Sequence, residues 1–348
     1  MSDVQAEQRA LQCPSCGGQC VYAPEDQALK CESCGTTREI AAPRNTDAAK
    51  EVAYDPATAT HEVPQIAHNR VHHCETCGGS IVFTGPILSE RCAYCDGPVV
   101  LGTEDAAYET TAVIPFAVSE VDAQDQAIAW AGRRIAAPGA LMGHIIKARV
   151  AGLYAPFWTF DSTEAVNYWA RVTKGSGKRR RSKRIKGRMT IGFDDLLVPA
   201  SHHVTPLIRD GILHEFDPTR LRPYLPAYLS GFAAERHHQT VDEGLLSNEP
   251  DKDLLIRNRI RRNINASGVS NIGYRTDTTG IRYRRILLPV WILHYEHEGT
   301  AYKIVVCGIH GRTFGERPFS RWKVMGLSAL LSAATIGFGL LWGALGAL

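Results

Sequence analysis

The last 25 residues, Val324 to Leu348, contain no charged side chain, the first eleven contain no apolar run, and no stretch between them completes a nucleotide-binding or catalytic signature. The missing charge at the C-terminal end argues against a buried core helix, which rarely lacks charged residues for so long. At ~1.5 Å per residue that stretch reaches ~37 Å as a helix, against a hydrocarbon core of ~30 Å, so it is long enough to span a bilayer. Arg317, Arg321 and Lys323 precede it and nothing basic follows, so the positive-inside rule puts the preceding domains in the cytoplasm. The expectation is a single-pass, tail-anchored protein of the cell inner (cytoplasmic) membrane. Met1 to Leu11 lacks the apolar centre of a signal peptide, which agrees with that placement. A formal net charge of +3 is too small to imply a polyanionic partner by itself. Gly175-Ser176-Gly177-Lys178 is not a phosphate loop, because Arg179 replaces the Ser or Thr and Val172 stands where the first glycine belongs. Asp194-Asp195 has no neighbouring base, and the doublets His202-His203 and His237-His238 point their side chains apart. The sequence therefore reads as a non-enzyme.

Cysteine is what the chain does have. Eight of the ten fall into two sets of paired C-x-x-C knuckles: Cys13, Cys16, Cys31, Cys34, and then Cys74, Cys77, Cys92, Cys95. The second set repeats the first at an offset of 61, and Cys16-Gly17-Gly18 recurs as Cys77-Gly78-Gly79, so one small unit is duplicated. In a reducing compartment such knuckles are metal ligands before they are disulfides. Two turns presenting two thiolates each suit a closed tetrahedral site, and a unit this small lacks a sufficient core without its metal. Two zinc ribbons, each with one structural zinc ion, are expected. Cys20, His72 and His73 lie near the knuckles but are not needed by either set, and are expected at the surface. Cys307, in the apolar run Ile304 to Ile309, reads as a buried inert thiol. Residues 41–70 have neither helical nor strand period and read as a linker on which the ribbons move independently.

Beyond residue 103 the pattern changes. Thr111 to Phe116 reads as a strand, Ser119 caps a helix, and two aromatic-rich segments, Tyr154 to Phe160 and Ala165 to Val172, look like paired strands separated by Asp161-Ser162-Thr163. The plan returns as a strand at Phe232 to His237, a helix at Val241 to Asn263, and a hairpin from Leu288 that turns near Glu298-Gly299. Pro-x-Trp occurs in both, at Pro156/Trp158 and Pro289/Trp291, which predicts an internally duplicated α+β module with antiparallel hairpins. Between the copies, Lys174 to Arg188 carries nine Lys or Arg in 15 residues and no acid. It reads as a surface that docks on the anionic leaflet, or on nucleic acid phosphates, or else as a solvated hairpin loop with no dedicated partner. No aromatic is interleaved in the run, which counts against stacking on a single strand. The resulting division is 1–40 first ribbon, 41–70 linker, 71–103 second ribbon, 104–320 duplicated α+β domain and 321–348 anchor.

The two CxxCG knuckle pairs, followed by GLYAPFWTFD, FDDLLVPAS, PYLPAYLSGFAAER, ILLPVW and YKIVVCGIHGRTFGERPFSRWKV, resemble a widespread bacterial family of double zinc-ribbon membrane proteins. Members are labelled primosomal protein N-prime or replication factor Y-like, or TFIIB-type zinc-ribbon proteins, and some relatives work with SPFH and phage-shock proteins during envelope stress. The absent Walker A contradicts a helicase. The resemblance implies a non-enzymatic, membrane-anchored adaptor that recruits a protein partner of SPFH or phage-shock type. The alternative is a membrane-tethered zinc-ribbon protein that binds nucleic acid. Of site residues, the resemblance carries over the eight cysteines alone.

Overall fold

The computed structural model describes residues 10–41, 49–59, 62–68, 71–84, 91–102, 104–174, 181–212 and 216–345. The N-terminal stretch, part of the 41–70 segment and Gly175 to Arg180 of the basic run lie outside these. Strands β1 (Cys20–Ala23), β2 (Ala28–Cys31) and β3 (Thr37–Arg38) make a separate three-stranded sheet. Next come β4 (Val52–Ala53), the single turn α1 (Pro56–Ala59), β5 (Gln65–His68), β6 (Val71–Cys74), β7 (Ser80–Phe83), β8 (Val99–Leu101) and β9 (Glu104–Ala107). The remaining elements are β10 (Ala112–Val113), α2 (Glu120–Gly132), α3 (Leu141–Ile146), β11 (Arg149–Lys174), β12 (Arg181–Pro199), α4 (Pro206–Ile212), β13 (Arg222–Pro223), α5 (Pro226–Leu229), β14 (Ala233–Glu235), α6 (Val241–Ile264), β15 (Val269–His297), β16 (Thr300–Cys307), β17 (Thr313–Gly315) and α7 (Arg321–Leu345).

A second sheet has β15 and β11 at its centre, antiparallel along their whole length, in the order β13-β10-β15-β11-β14-β7-β6-β8. Strand β16 adds to β15 beyond β10, and β12 adds to β11 beyond β14. Alternation divides the core between two faces. Leu153, Phe157, Leu288, Val290 and Ile292 point to one, with α4 and the second knuckle set; Tyr154, Leu287, Trp291 and Leu293 point to the other, with α2, α3 and the first set. A sheet buried on both faces needs continuous apolar strands, which is why Ile286 to Leu293 reads as an apolar run. The two Pro-x-Trp segments lie side by side, with Tyr154 opposite Pro289 and Pro156 opposite Leu287. Around them the pairing is reciprocal. Strand β10 runs parallel to β15 at Ile286 and Leu287, and β14 runs parallel to β11 at Leu153 and Tyr154.

Four expectations change. The segments Tyr154 to Phe160 and Ala165 to Val172 are one strand, not a hairpin pair. Asp161-Ser162-Thr163 forms an irregularity in both neighbouring ladders: Asp161 accepts a hydrogen bond at 2.8 Å from the backbone N–H of Asp195, which adopts a left-handed φ of 51°. Turn-forming residues here make a bulge instead of a reversal. Within the 41–70 segment, residues 51–53 and Glu62 are held against β15, since β4 pairs with Arg282 and Tyr283, and Glu51 and Glu62 meet Arg284 and Arg285 at 3.4 and 2.5 Å. Ion pairs and a short edge strand leave no apolar period to read. The described part of the basic run is strand, because Lys174 belongs to β11 and Arg181 to Arg188 pairs with it. Strands β6, β7 and β8 belong to the large sheet, which therefore crosses residue 103.

Beyond the bulge, β11, β12 and β15 project as a three-stranded arm. Helix α6 covers one face of it through Ile256 and Ile260, which pack on Val166, Tyr168 and Ile191. Buried Glu164 ties the helix down, accepting from Thr276 and Thr278 and pairing with Lys252. A capping box joins Thr240 and Glu243 at the start of α6, and left-handed Asn265 ends it. At the other end of the body the backbone N–H of Ser320 bonds Ala136, Lys323 bonds the Ala137 carbonyl at 2.9 Å, and α7 begins. This helix is long and apolar enough to cross a membrane, and none of its Arg321–Leu340 span is buried.

Candidate metal centres

Each knuckle is a tight turn closed by its first cysteine. The N–H of Gly17 bonds the Cys13 carbonyl at 2.9 Å and the N–H of Gly35 bonds that of Cys31 at 2.9 Å. At the offset of 61, Gly78 bonds Cys74 at 2.9 Å and Asp96 bonds Cys92 at 3.0 Å. The turns need a left-handed residue, with φ of 74° at Gly17, 76° at Gly78, 74° at Gly35 and 63° at Asp96. Cross-strand neighbours obey the same offset: Gln12 faces Gln19 as His73 faces Ser80, and Lys30 faces Thr37 as Arg91 faces Pro98.

These turns bring together both sets of four thiols, and in each set all four sulfurs lie within 4.8 Å of one another. Cys13 and Cys34 Sγ are 3.6 Å apart and Cys16 and Cys31 3.5 Å; in the second set Cys74 and Cys95 are 3.4 Å apart and Cys77 and Cys92 3.8 Å. Disulfides need ~2.05 Å and are excluded, whereas four thiolates ~2.3 Å from a tetrahedral ion stand ~3.8 Å apart. The donors fit a metal ion at each site. Their protonation points the same way. The N–H groups of Cys16 and Ser15 hold Cys13 down to about 6, while Cys34 and Cys31 push Cys16 up to about 12 against a hydrogen bond from Gly18. Burial pushes Cys74 up, yet the N–H groups of Cys77 and Thr76 bring it to about 7, and burial with Cys95 and Cys74 drives Cys77 up to about 11. Four such neighbours cannot all ionise without a cation among them.

Cys20 and His72 are buried, contrary to the surface expectation, for a reason the offset makes plain. Cys20 occupies the position of Ile81 and His72 that of Leu11, both core residues, so the pair fill space between the turns and the body. Cys307 is fully buried, as its apolar run predicts.

The second site has support that sequence reasoning missed. Glu235 on β14 is buried and accepts from Tyr94 Oη at 2.6 Å and Ser201 Oγ at 2.8 Å, and it meets His203 Nδ1 at 2.9 Å. His203 Nε2 lies 3.0 Å from the Cys77 carbonyl, so one ring ties a knuckle to the body. His202 takes no part in this hydrogen-bonded chain. The doublet does not point apart as expected, since its rings lie together with centroids 4.0 Å apart, and only His203 joins the hydrogen-bonded chain. Asp195 joins Glu51 and Asp161 in a carboxylate cluster at the bulge, but Arg284 already pairs with both Glu51 and Asp195. His237 is buried beside Trp158, its pKa pushed down to about 3 by burial, and it bonds the Phe157 carbonyl at 3.1 Å.

The sequence matches no protein-family model. It is 26% identical over 226 residues to an uncharacterized protein, YdjG, of Bacillus subtilis (strain 168), a match that takes in 61% of this chain. The chain spans about 64% of that relative's length. No solved structure matches.

Proposed function

We infer that the protein is a non-enzymatic, membrane-anchored adaptor with two structural zinc ribbons, the two copies of one duplicated unit, carried on an internally duplicated α+β body. The observation that carries this reading is the combination of a four-thiolate module whose Cys16 and Cys34 are exposed with a membrane-length helix on the same body, none of whose Arg321–Leu340 span is buried. Four protein thiolates fill a tetrahedral shell and leave no position for substrate, so the metal's work is to hold a recognition surface in shape. Thiolate softness and tetrahedral spacing favour zinc among the common cellular cations. The partner implied by the family resemblance is an SPFH or phage-shock protein, brought to the cytoplasmic face of the inner membrane.

The test is a pull-down from nuclease-treated, detergent-solubilised membranes, comparing the native chain with Cys13→Ser plus Cys16→Ser and identifying bound proteins by mass spectrometry. These positions are chosen because the first module is the less tied to the main sheet. An SPFH or phage-shock protein that is captured by the native chain and lost with the variant supports the adaptor. An unchanged set of captured proteins overturns it. Elemental analysis of the purified chain is expected to return two zinc ions per protein.

A further inference from the structure

The arm that α6 covers on one side is bare on the other. On this open face alternate residues of three strands form cross-strand rows: Arg188, Asn167 and Arg275; then Lys186, Trp169 and Gly273; then Arg184, Arg171 and Ser270. Five cations thus surround one tryptophan. All five are exposed, and none is ion-paired among the described residues. Arg171 and Arg184 are direct cross-strand partners, an arrangement of like charge that costs stability unless an anion lies over it. The rows enclose an open hollow of about 670 Å³ lined by Trp169, Arg184, Lys186, Arg188 and Arg275.

The basic run contains no aromatic, but strand register supplies one from β11. The indole of Trp169 lies across Gly273, where an added Cβ would meet Cε2, Nε1 and Cζ2 at 2.5 to 2.7 Å. The ring is laid on the sheet, with glycine required beneath it, and does not stand off as a wedge. A flat ring flanked by cations repeating at every second residue, ~6.8 Å, matches a base stacked on a platform with backbone phosphates on either side. A tryptophan that anchors in a lipid interface has to project into it. The face also lies far along the strands from the end of the body at which α7 begins: from the Trp169–Gly273 pair to the Gly152–Trp291 pair β11 runs 17 residues, ~56 Å.

We propose that the open face of the arm binds single-stranded nucleic acid, with Trp169 stacking on a base and Arg171, Arg184, Lys186, Arg188 and Arg275 neutralising phosphates. This surface is separate from the zinc modules and stands or falls independently of the adaptor function. The test uses the full chain in phosphatidylcholine nanodiscs and fluorescence anisotropy with ~15-nucleotide U and dT oligomers, the duplex of the same length and phosphatidylglycerol vesicles. Either oligomer binds more tightly than duplex or vesicle, and the better of the two identifies the sugar. Replacing Arg184, Lys186 and Arg188 by Ala lowers affinity at least tenfold and reduces the salt slope by ~2. Trp169→Ala weakens binding about tenfold at unchanged salt slope, and Trp169→Phe recovers most of it. Circular dichroism of each variant is expected to match the native chain. The proposal is overturned if Trp169→Ala binds as tightly as native, if duplex binds equally well, or if the cation variants lose vesicles while keeping the oligomers. The last result would assign the face to the lipid surface.

Discussion

Tyr22 of the first module meets the body through its hydroxyl, 3.1 Å from the Phe116 carbonyl, and through ring contacts with Tyr228 and Phe232. Phe83, at the same place in the second module, is a rung of the main sheet paired with Ala233. The two modules make the same turns, with the same hydrogen bonds and the same sulfur spacing, and differ in what lies along one strand edge. In the first that edge receives two hydrogen bonds around Ser230: the N–H of Tyr22 reaches its carbonyl at 2.9 Å and its hydroxyl reaches the Cys20 carbonyl at 2.8 Å. In the second the edge is occupied by β14, which links β7 to β11 and so to the centre of the body. A metal-binding motif thus dictates its own geometry, while the neighbouring strand decides how much of the protein depends on it.

The largest effect expected from this difference is on global folding. Cys74→Ser plus Cys77→Ser, or loss of metal from the second site, removes the turns that position Ile81, Phe83 and Tyr94 in the core shared with Leu153 and Val290. A structural metal ion held by four thiolates contributes on the order of 10 kcal/mol, comparable with the whole net stability of a domain, ~5–15 kcal/mol. The body's cooperative urea transition, followed by near-UV circular dichroism in detergent, should disappear. Cys13→Ser plus Cys16→Ser should leave that transition in place and remove one bound metal ion. If both pairs of substitutions behave alike, the contrast between the modules is wrong.

Next in size is the Glu235 junction, which has no counterpart at the first site among the described residues. Glu235→Met would leave the buried Tyr94 hydroxyl without its acceptor and reduce the Ser201 hydroxyl and His203 Nδ1 to their bond with each other, 3.1 Å long, a loss of ~3 kcal/mol. Tyr22→Phe, the corresponding cut at the first module, deletes one hydrogen bond and should cost ~1 kcal/mol. Urea melts of the zinc-saturated protein measure both. Equal losses would mean that the first module is as firmly built in as the second.

What the sequence revealed and what it hid divide along the same line. Both four-cysteine sites were legible, because ligand type and turn spacing are local properties. The helix starting at Thr240, the turn at Glu298-Gly299 and the apolar C-terminal helix were legible for the same reason. The attachment of β7 to β14 was not, since a strand at Phe232 to His237 is legible but nothing local tells that it pairs with Ile81 to Phe83, 150 positions earlier. Neither was the role of Glu235, an acid between Ala234 and Arg236 that only tertiary structure identifies as buried. Asp161-Ser162-Thr163 misled because turn chemistry and bulge chemistry use the same residues. Trp169 and Lys186 are 17 positions apart in the chain, and only the ladder register makes them neighbours.

The smallest expected effect isolates one backbone angle. Gly35 and Asp96 are equivalent and both left-handed, but Gly35 has open space around it, whereas Asp96 pairs with Arg149 of β11 at 2.6 Å and with Arg91 at 2.7 Å. A Cβ at position 35 meets no atom, so Gly35→Ala pays only for the left-handed conformation, ~1 kcal/mol. That corresponds to about fivefold weaker zinc binding at the first site, measured by competition with a chromophoric chelator, with no change in the body's urea midpoint. Asp96→Gly relieves a similar strain and gives up partly exposed ion pairs worth ~1 kcal/mol, so its net effect should lie near zero. Asp96→Ala keeps the strain and loses the pairs, and should move the body's midpoint downward by ~1 kcal/mol. If Gly35→Ala shifts the body's midpoint instead, the first module is coupled to the main sheet by more than its bonds to Ser230 and the packing of Leu11, Tyr22 and Leu29 on the body, and the separation between the two modules fails at its weakest joint.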